Sequence, residues 1–512
     1  MGRRLPVRVL AARLAEGLAG AVVVLSVLAW FASVWYRHRF GDTGFDSILF
    51  TILFDVEKAE SGQFRSFLLE ALLPGAVALL ALAAFLEPRR RSRIDLVARR
   101  SGRRIRLWPL PAPVSAAACL AVAAACLAGA SRNTGFRKWL SARTEKTALY
   151  AERYVDPKGV AIAFPEKKRN LVCIYVESAE TTFFSRAQGG ALPVCAVPEL
   201  YRLAADNVNF SHHGGVGGWP RTTGTSWTVG AMVALTMGVP FEVPVHGNAY
   251  GKRAAFLPGA WALGDVLHAA GYRQALIVGS DASFGGRDKL YGQHGTDEIL
   301  DVSTAPRDGV VPEGYHKWWG FEDAVLFEYA KLELARLAAD GRPFALTLLT
   351  ADTHATGGFV CDRCRNDFVR KYENVFACTS RQVAAFVGWL RSQPYWNDTT
   401  LLVCGDHLGH DHRYFRDALA GFPCDRRVYN CFLNAVPPAP PERTKNRVFS
   451  PMDMYPTVLA AMGCTIPGER LGLGTNLFSG EPTLAEELGT AGLNAEIEKR
   501  SDEYLFKLVL GR

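Results

Sequence analysis

The apolar positions of this chain fall into two regimes. Over roughly the first 130 residues they form long, nearly unbroken stretches, and from about residue 170 they form short runs separated by segments with helical spacing. Long stretches at about 14–36, 67–86 and 107–130 each approach the ~20 residues a helix needs to cross a bilayer. The first is broken only by Glu16 and ends without a cleavage-like site, which predicts a retained helix rather than a removable signal peptide. Phe45–Phe54 (FDSILFTILF) fits either an interfacial amphipathic segment or a helix within a loop.

The short runs read as strands. LVCIYV (171–176) ends at Glu177, QALIVG (274–279) at Ser280-Asp281, FALTLLT (344–350) before Asp352 and His354, and TLLVCG (400–405) at Asp406-His407. Continuous apolar runs of this kind suit strands covered on both faces. Between them lie helical patterns over 261–270, 322–339 and 379–391, and one that starts at Ser450-Pro451 and stops at Gly463. A further buried helix is expected from Ser226 to the Gly238-Val239-Pro240 stop, with the Thr225 hydroxyl at its N-cap. Strands alternating with helices predict an α/β fold, a largely parallel sheet sandwiched by helices. In such a sheet ligands bind beyond the carboxyl ends of the strands, so Glu177, Asp281, Asp352, His354, Asp406 and His407 are expected along one edge.

Charge and cysteines refine this outline. The formal net charge of +8 is concentrated, because nine arginines lie between Arg89 and Arg106. Their place between two apolar stretches, with Arg3, Arg4, Arg8 and Arg13 before the first, marks cytoplasmic flanks rather than a nucleic-acid surface. Three spans then carry everything after about residue 131 out of the cytoplasm. Of eleven cysteines, Cys361, Cys364, Cys378, Cys424 and Cys431 are expected in polar loops. An oxidising compartment would permit disulfides among them, while Cys361-x-x-Cys364 is also a metal or redox pattern. No second CxxC accompanies it, so the pattern does not by itself predict a structural zinc.

Two carboxylates, an imidazole and a hydroxyl (Glu177, Asp406, His407 and Thr225) form an oxygen-rich donor set for Mn²⁺, Mg²⁺ or Zn²⁺. A metal beside the threonine, at a helix N-terminus, would activate the hydroxyl and stabilise a phosphoryl transition state.

The stretches IYVESAETTFF (174–184), GTSWTVGAMVALTMGVP (224–240), HGNAYG (246–251), TADTH (350–354), CGDHLGH (404–410) and MDMYPTVLAAMG (452–463) carry a resemblance. Over about 165–480 the chain resembles the alkaline phosphatase/sulfatase superfamily, in its membrane-anchored phosphoglycerol transferase branch serving periplasmic glucans. Lipoteichoic acid synthase is a more distant relative. The resemblance implies Thr225 as nucleophile and metal ligand, with Glu177, Asp406 and His407 completing a site that usually holds Mn²⁺. It also implies His354 facing the substrate and Arg287 holding its phosphate or glycerol; His246, within reach of the site, and Asp281, at its strand end, are further candidates for binding it. The implied reaction moves glycerol phosphate from phosphatidylglycerol to a periplasmic glucan or other polysaccharide through a threonine-bound intermediate, at the bacterial inner membrane. A phosphoethanolamine transferase or a hydrolase of the same fold is the alternative, and a non-catalytic sensor a third. A sulfatase proper would need a C/S-x-P-x-R motif, which the Thr225 segment lacks. The expected organisation is a three-span anchor over 1–131, a connector over 132–168, an extracytoplasmic catalytic domain over 169–482 and a tail over 483–512.

Overall fold

The computed structural model describes residues 7–41, 44–50, 61–86, 94–97, 104–108, 112–242 and 255–512. The chain forms two compact units, one of residues 1–45 and 59–138, the other of residues 46–58 and 139–512.

In the first unit a helix spans Val7–Phe40, and a helical stretch runs from Ser61–Phe67 through a π-turn, Leu68–Leu72, into Leu73–Leu86. Two segments here, Leu18–Phe40 and Phe64–Leu82, are long and apolar enough to cross a membrane. The third expected span is the helix Ala112–Thr134. Within the arginine-rich segment β1 (Ile94–Val97) and β2 (Arg104–Trp108) pair antiparallel. Phe45–Phe50 is a short helix, and residues 51–54 of the expected segment lie outside the described residues.

The second unit is built on a seven-stranded sheet in the order β4-β9-β8-β3-β7-β5-β6. Its strands are β3 (Asn170–Val176), β4 (Gly218–Trp219), β5 (Arg273–Val278), β6 (Glu298–Leu300), β7 (Phe344–Leu349), β8 (Thr399–Gly405) and β9 (Val428–Leu433). The block from β8 to β6 is parallel, with β9 and β4 added antiparallel. Alternation along β3 sends Leu171, Cys173 and Tyr175 into one core and Val172, Ile174 and Val176 into the other. The first core takes the helices Thr228–Met237, Met454–Ala461 and Leu484–Glu498, and the second takes Asp323–Asp340 and Lys371–Arg391. Helices therefore cover both faces of a mostly parallel sheet, the expected α/β class.

Several boundaries differ from expectation. The helix expected at 379–391 begins at Lys371, and Thr379, the first residue of the expected helix, is buried mid-helix with its hydroxyl 3.2 Å from Asp323 Oδ2. Cys378 is buried in that helix and Cys431 in β9, not in polar loops, because tertiary packing buries the faces that carry them. The connector is docked: Leu149 and Tyr150 join the first core, and Val155 and Ala163 bridge to Gly472 and Thr465. The last thirty residues are not a free tail, since Leu493, Ile497, Tyr504 and Leu508 sit in the same core.

Candidate active site

The register of the sheet brings the acids together. Tyr175 pairs with Leu349 on one side and Cys404 on the other, and Val176 with Gly405, so Glu177, Thr350 and Asp406 leave the sheet side by side. Ser178 then turns in the left-handed region (φ 57°), a conformation that costs a non-glycine residue about 1–2 kcal/mol. The turn aims the Ser178 N–H at Asp406 Oδ1 (2.8 Å) and its hydroxyl at Glu177 Oε1 (2.7 Å). Gly405, just before Asp406, is required: a Cβ there would lie 2.1 Å from the Ala179 carbonyl oxygen.

His407 completes the cluster. Its Nδ1 lies 3.0 Å from the Leu408 carbonyl, which holds a proton there and turns Nε2 toward the acids. Nε2 stands 3.3 Å from Asp406 Oδ2 and 3.7 Å from Glu177 Oε1. Burial pushes the Asp406 carboxyl up to about 7, and the Glu177 carboxylate adds to the shift. Burial alone would pull the His407 imidazolium down, but the two carboxylates outweigh it and raise its pKa.

The threonine at this cluster is Thr228, not Thr225. The helix begins at Thr228, with Trp227 extended (φ −143°, ψ 158°) as its cap residue. Thr228 Oγ1 lies 3.4 Å from Glu177 Oε2 and 3.5 Å from His407 Nε2. The Thr225 hydroxyl donates instead to the Thr222 carbonyl at 3.0 Å, closing a turn at Gly224 (φ 77°). The two threonines are three residues apart, so starting the helix at Ser226 exchanges one hydroxyl for the other. Trp227 hid the boundary, being as compatible with a buried helix as with the extended position it takes against Phe241.

These donors fit a divalent cation. Tetrahedral ligands about 2.1 Å from an ion stand about 3.4 Å apart, and the four separations above run from 3.3 to 3.7 Å. Asp406 Oδ2 is buried with no hydrogen-bond partner among the described residues and only the His407 ring nitrogen 3.3 Å away, an unmet acceptor that a cation would satisfy.

A pocket opens beside the cluster, lined by Glu177, Thr228, Arg287, Trp319, His354 and Phe284 among others. The Arg287 guanidinium lies over Phe284 and is fixed by the Ser280 hydroxyl (2.9 Å) and the Asp281 carbonyl (2.7 Å). Trp319 packs edge-on against His354, ring centres 4.9 Å apart. The Asp281 side chain does not line this pocket; its carboxylate caps the turn at Ser283, accepting from that residue's N–H (2.8 Å) and hydroxyl (2.6 Å). Asp352 also turns away, paired in a buried site with Asp323, where burial and the Asp323 carboxylate push its pKa up to about 10. His246 lies outside the described residues. Sequence reading missed His410, whose ring stacks on His407 at 4.5 Å; its signal was the third-residue repeat of histidine in DHLGH.

A sheet of this order with an acid–histidine–threonine cluster at its carboxyl edge defines the class. The sulfatase family model matches residues 169–464, and the chain belongs to that family, whose members are enzymes dependent on divalent metals. Among curated relatives, phosphoglycerol transferase I of Xanthomonas campestris pv. campestris is 32% identical over 327 residues, covering 62% of this chain and 43% of that protein. Phosphoglycerol transferase I of Escherichia coli O139:H28 is 31% identical over 339 residues, covering 65% and 41%. The chain thus spans less than half the length of these relatives. Among solved structures, lipoteichoic acid synthase LtaP of Listeria monocytogenes is 19% identical, covering 63% of this chain and 79% of that chain, with a TM-score of 0.49.

Proposed function

We propose that this protein is a membrane-anchored phosphoglycerol transferase with Thr228 as its nucleophile. It would move the glycerol phosphate headgroup of phosphatidylglycerol onto a hydroxyl of an extracytoplasmic polysaccharide such as a periplasmic glucan. The observation that carries the reading is Thr228 Oγ1, at the start of a helix, 3.4 Å from Glu177 and 3.5 Å from His407 in the pocket shared with Arg287 and His354. The two named relatives support the choice of phosphoglycerol as the group transferred.

Glu177, Asp406, His407 and Thr228 would hold the cation, Mn²⁺ in this reading, which when bound lowers the pKa of the threonine hydroxyl and offsets phosphoryl charge. Thr228 Oγ1 forms its bond to phosphorus as the bond to diacylglycerol breaks. The free N–H groups of the first helical turn face the charge that develops on the phosphoryl oxygens. Arg287, held by Ser280 and Asp281, binds the phosphate or glycerol end, and His354, which lines the same pocket, serves the leaving group. The acceptor hydroxyl then attacks the same phosphorus and restores Thr228.

A multi-pass anchor with the catalytic unit outside the cytoplasm belongs to the same reading. The helix Ala112–Thr134 carries no charged residue before Arg132, and its 23 residues are long enough at about 1.5 Å each to serve as the third span. The arginines flanking the spans favour the cytoplasmic side.

The test uses the purified full chain in mixed micelles with Mn²⁺ and headgroup-labelled phosphatidylglycerol. Diacylglycerol release, with label left on the denatured protein at Thr228, is expected. Release from phosphatidylethanolamine alone overturns the donor, and silence with both lipids overturns the transferase reading.

A further inference from the structure

Away from the carboxylate cluster, three cysteines converge beneath the segment that carries His354. Cys361 and Cys364 lie between β7 and the helix Lys371–Arg391, and Cys378 lies inside that helix. Cys361 Sγ is 3.7 Å from Cys364 Sγ and 3.7 Å from Cys378 Sγ, and the three sulfurs all lie within 4.8 Å of one another. A disulfide would draw two of them to about 2.05 Å and leave the third aside. Thiolates around one zinc-type ion, each about 2.3 Å from it, stand about 3.8 Å apart. The separations match the second arrangement.

The surroundings suit thiolate ligands as well. The Cys364 N–H donates to the Cys361 carbonyl at 3.0 Å, closing the x-x turn, and the backbone of Arg363 and Cys364 hydrogen-bonds the Cys361 sulfur. One helical turn beyond Cys378, Gln382 is buried with Nε2 3.5 Å from Cys378 Sγ and 4.0 Å from Cys361 Sγ. Its Oε1 is also buried and has no hydrogen-bond partner among the described residues. Half a turn about the terminal torsion exchanges the two ends of an amide, so the same side chain can offer that oxygen to an ion.

We propose that Cys361, Cys364 and Cys378 bind a soft divalent ion of the zinc class as thiolates, with the Gln382 amide on its fourth side. The ion ties the irregular segment that begins with Thr350, Asp352 and His354 to the helix behind it. This site is separate from the carboxylate cluster and differs in preference, since thiolates select soft ions and carboxylates hard ones. It does not depend on the transferase reading.

The experiment uses the full chain in detergent, purified without chelator, and its Asp406→Asn variant, which removes a ligand of the other site. Metal content is measured while an organomercurial titrates the thiols, and Co²⁺-loaded samples are scanned for a thiolate-to-cobalt charge-transfer band. In both proteins one equivalent of metal should leave as the three thiols react, and the cobalt band should be present; Cys361→Ser should lose both signals. Detection of a disulfide between two of the three cysteines by non-reducing peptide mass analysis overturns the proposal. So does the absence of mercurial-released metal and of the cobalt band from the unmutated chain after loading with Zn²⁺ or Co²⁺.

Discussion

Replacing Thr228 and Thr225 in turn by valine, which keeps the methyl group and removes the hydroxyl, separates catalysis from stability. At Thr225 the substitution deletes one buried hydrogen bond, 3.0 Å to the Thr222 carbonyl. That carbonyl keeps the Thr225 N–H at 3.3 Å, so no acceptor is orphaned and the cost is about 1 kcal/mol. In a unit of this size the melting temperature should fall by only about 2 °C. At Thr228 the hydroxyl contacts are 3.4 and 3.5 Å, too long to stabilise the fold by more than about 0.5 kcal/mol. Removing a nucleophile, however, costs on the order of 10³-fold or more in rate, at least about 4 kcal/mol of transition-state stabilisation. Thr228→Val should therefore lose diacylglycerol release and the labelled adduct while melting almost normally. Thr225→Val should melt earlier and keep its rate within a few-fold. Thr228→Ser, which retains a hydroxyl, should keep part of the activity. If Thr225→Val were inactive and Thr228→Val active, the assignment would be refuted.

Three further outcomes follow from the packing. Glu180 is fully buried and bound by Arg426 (2.8 and 2.5 Å), which also holds the Gly409 carbonyl at 2.8 Å, so Arg426→Ala should cost about 3–5 kcal/mol in unfolding experiments, with Arg426→Lys recovering part. Gly405→Ala puts a Cβ 2.1 Å from the Ala179 oxygen and should destabilise by about 3 kcal/mol while displacing Asp406, read as joint loss of melting temperature and activity. Burial raises the Asp453 pKa from 3.8 to about 6 despite hydrogen bonds from Ser450 and Thr475. A raised acid favours the fold while protonated, so its contribution is complete below about pH 4 and lost by about pH 6, on the order of 3 kcal/mol. Comparing the stability–pH slopes of the unmutated chain and Asp453→Asn isolates it from other acids.

The strands β3, β5, β7 and β8 were legible because each is buried on both faces and therefore writes a continuous apolar run. The acids at their ends followed, since a parallel sheet places its carboxyl termini on one edge, and Glu177, Asp406 and His407 do meet there. β9 escaped notice because it is antiparallel and interrupted by Asn430, whose side chain is satisfied by Phe210. Local pattern determined that a threonine stands at the start of a helix beside the site, but not which one. Thr225 and Thr228 flank the same Ser-Trp pair, and the helix begins after Trp227, which is extended and packed against Phe241. The gathering of Cys378 with Cys361 and Cys364 was equally invisible, because it depends on a helix and a loop folding onto each other across fourteen residues. Periodicity reports which face of an element is buried; what that face meets is decided by long-range packing alone.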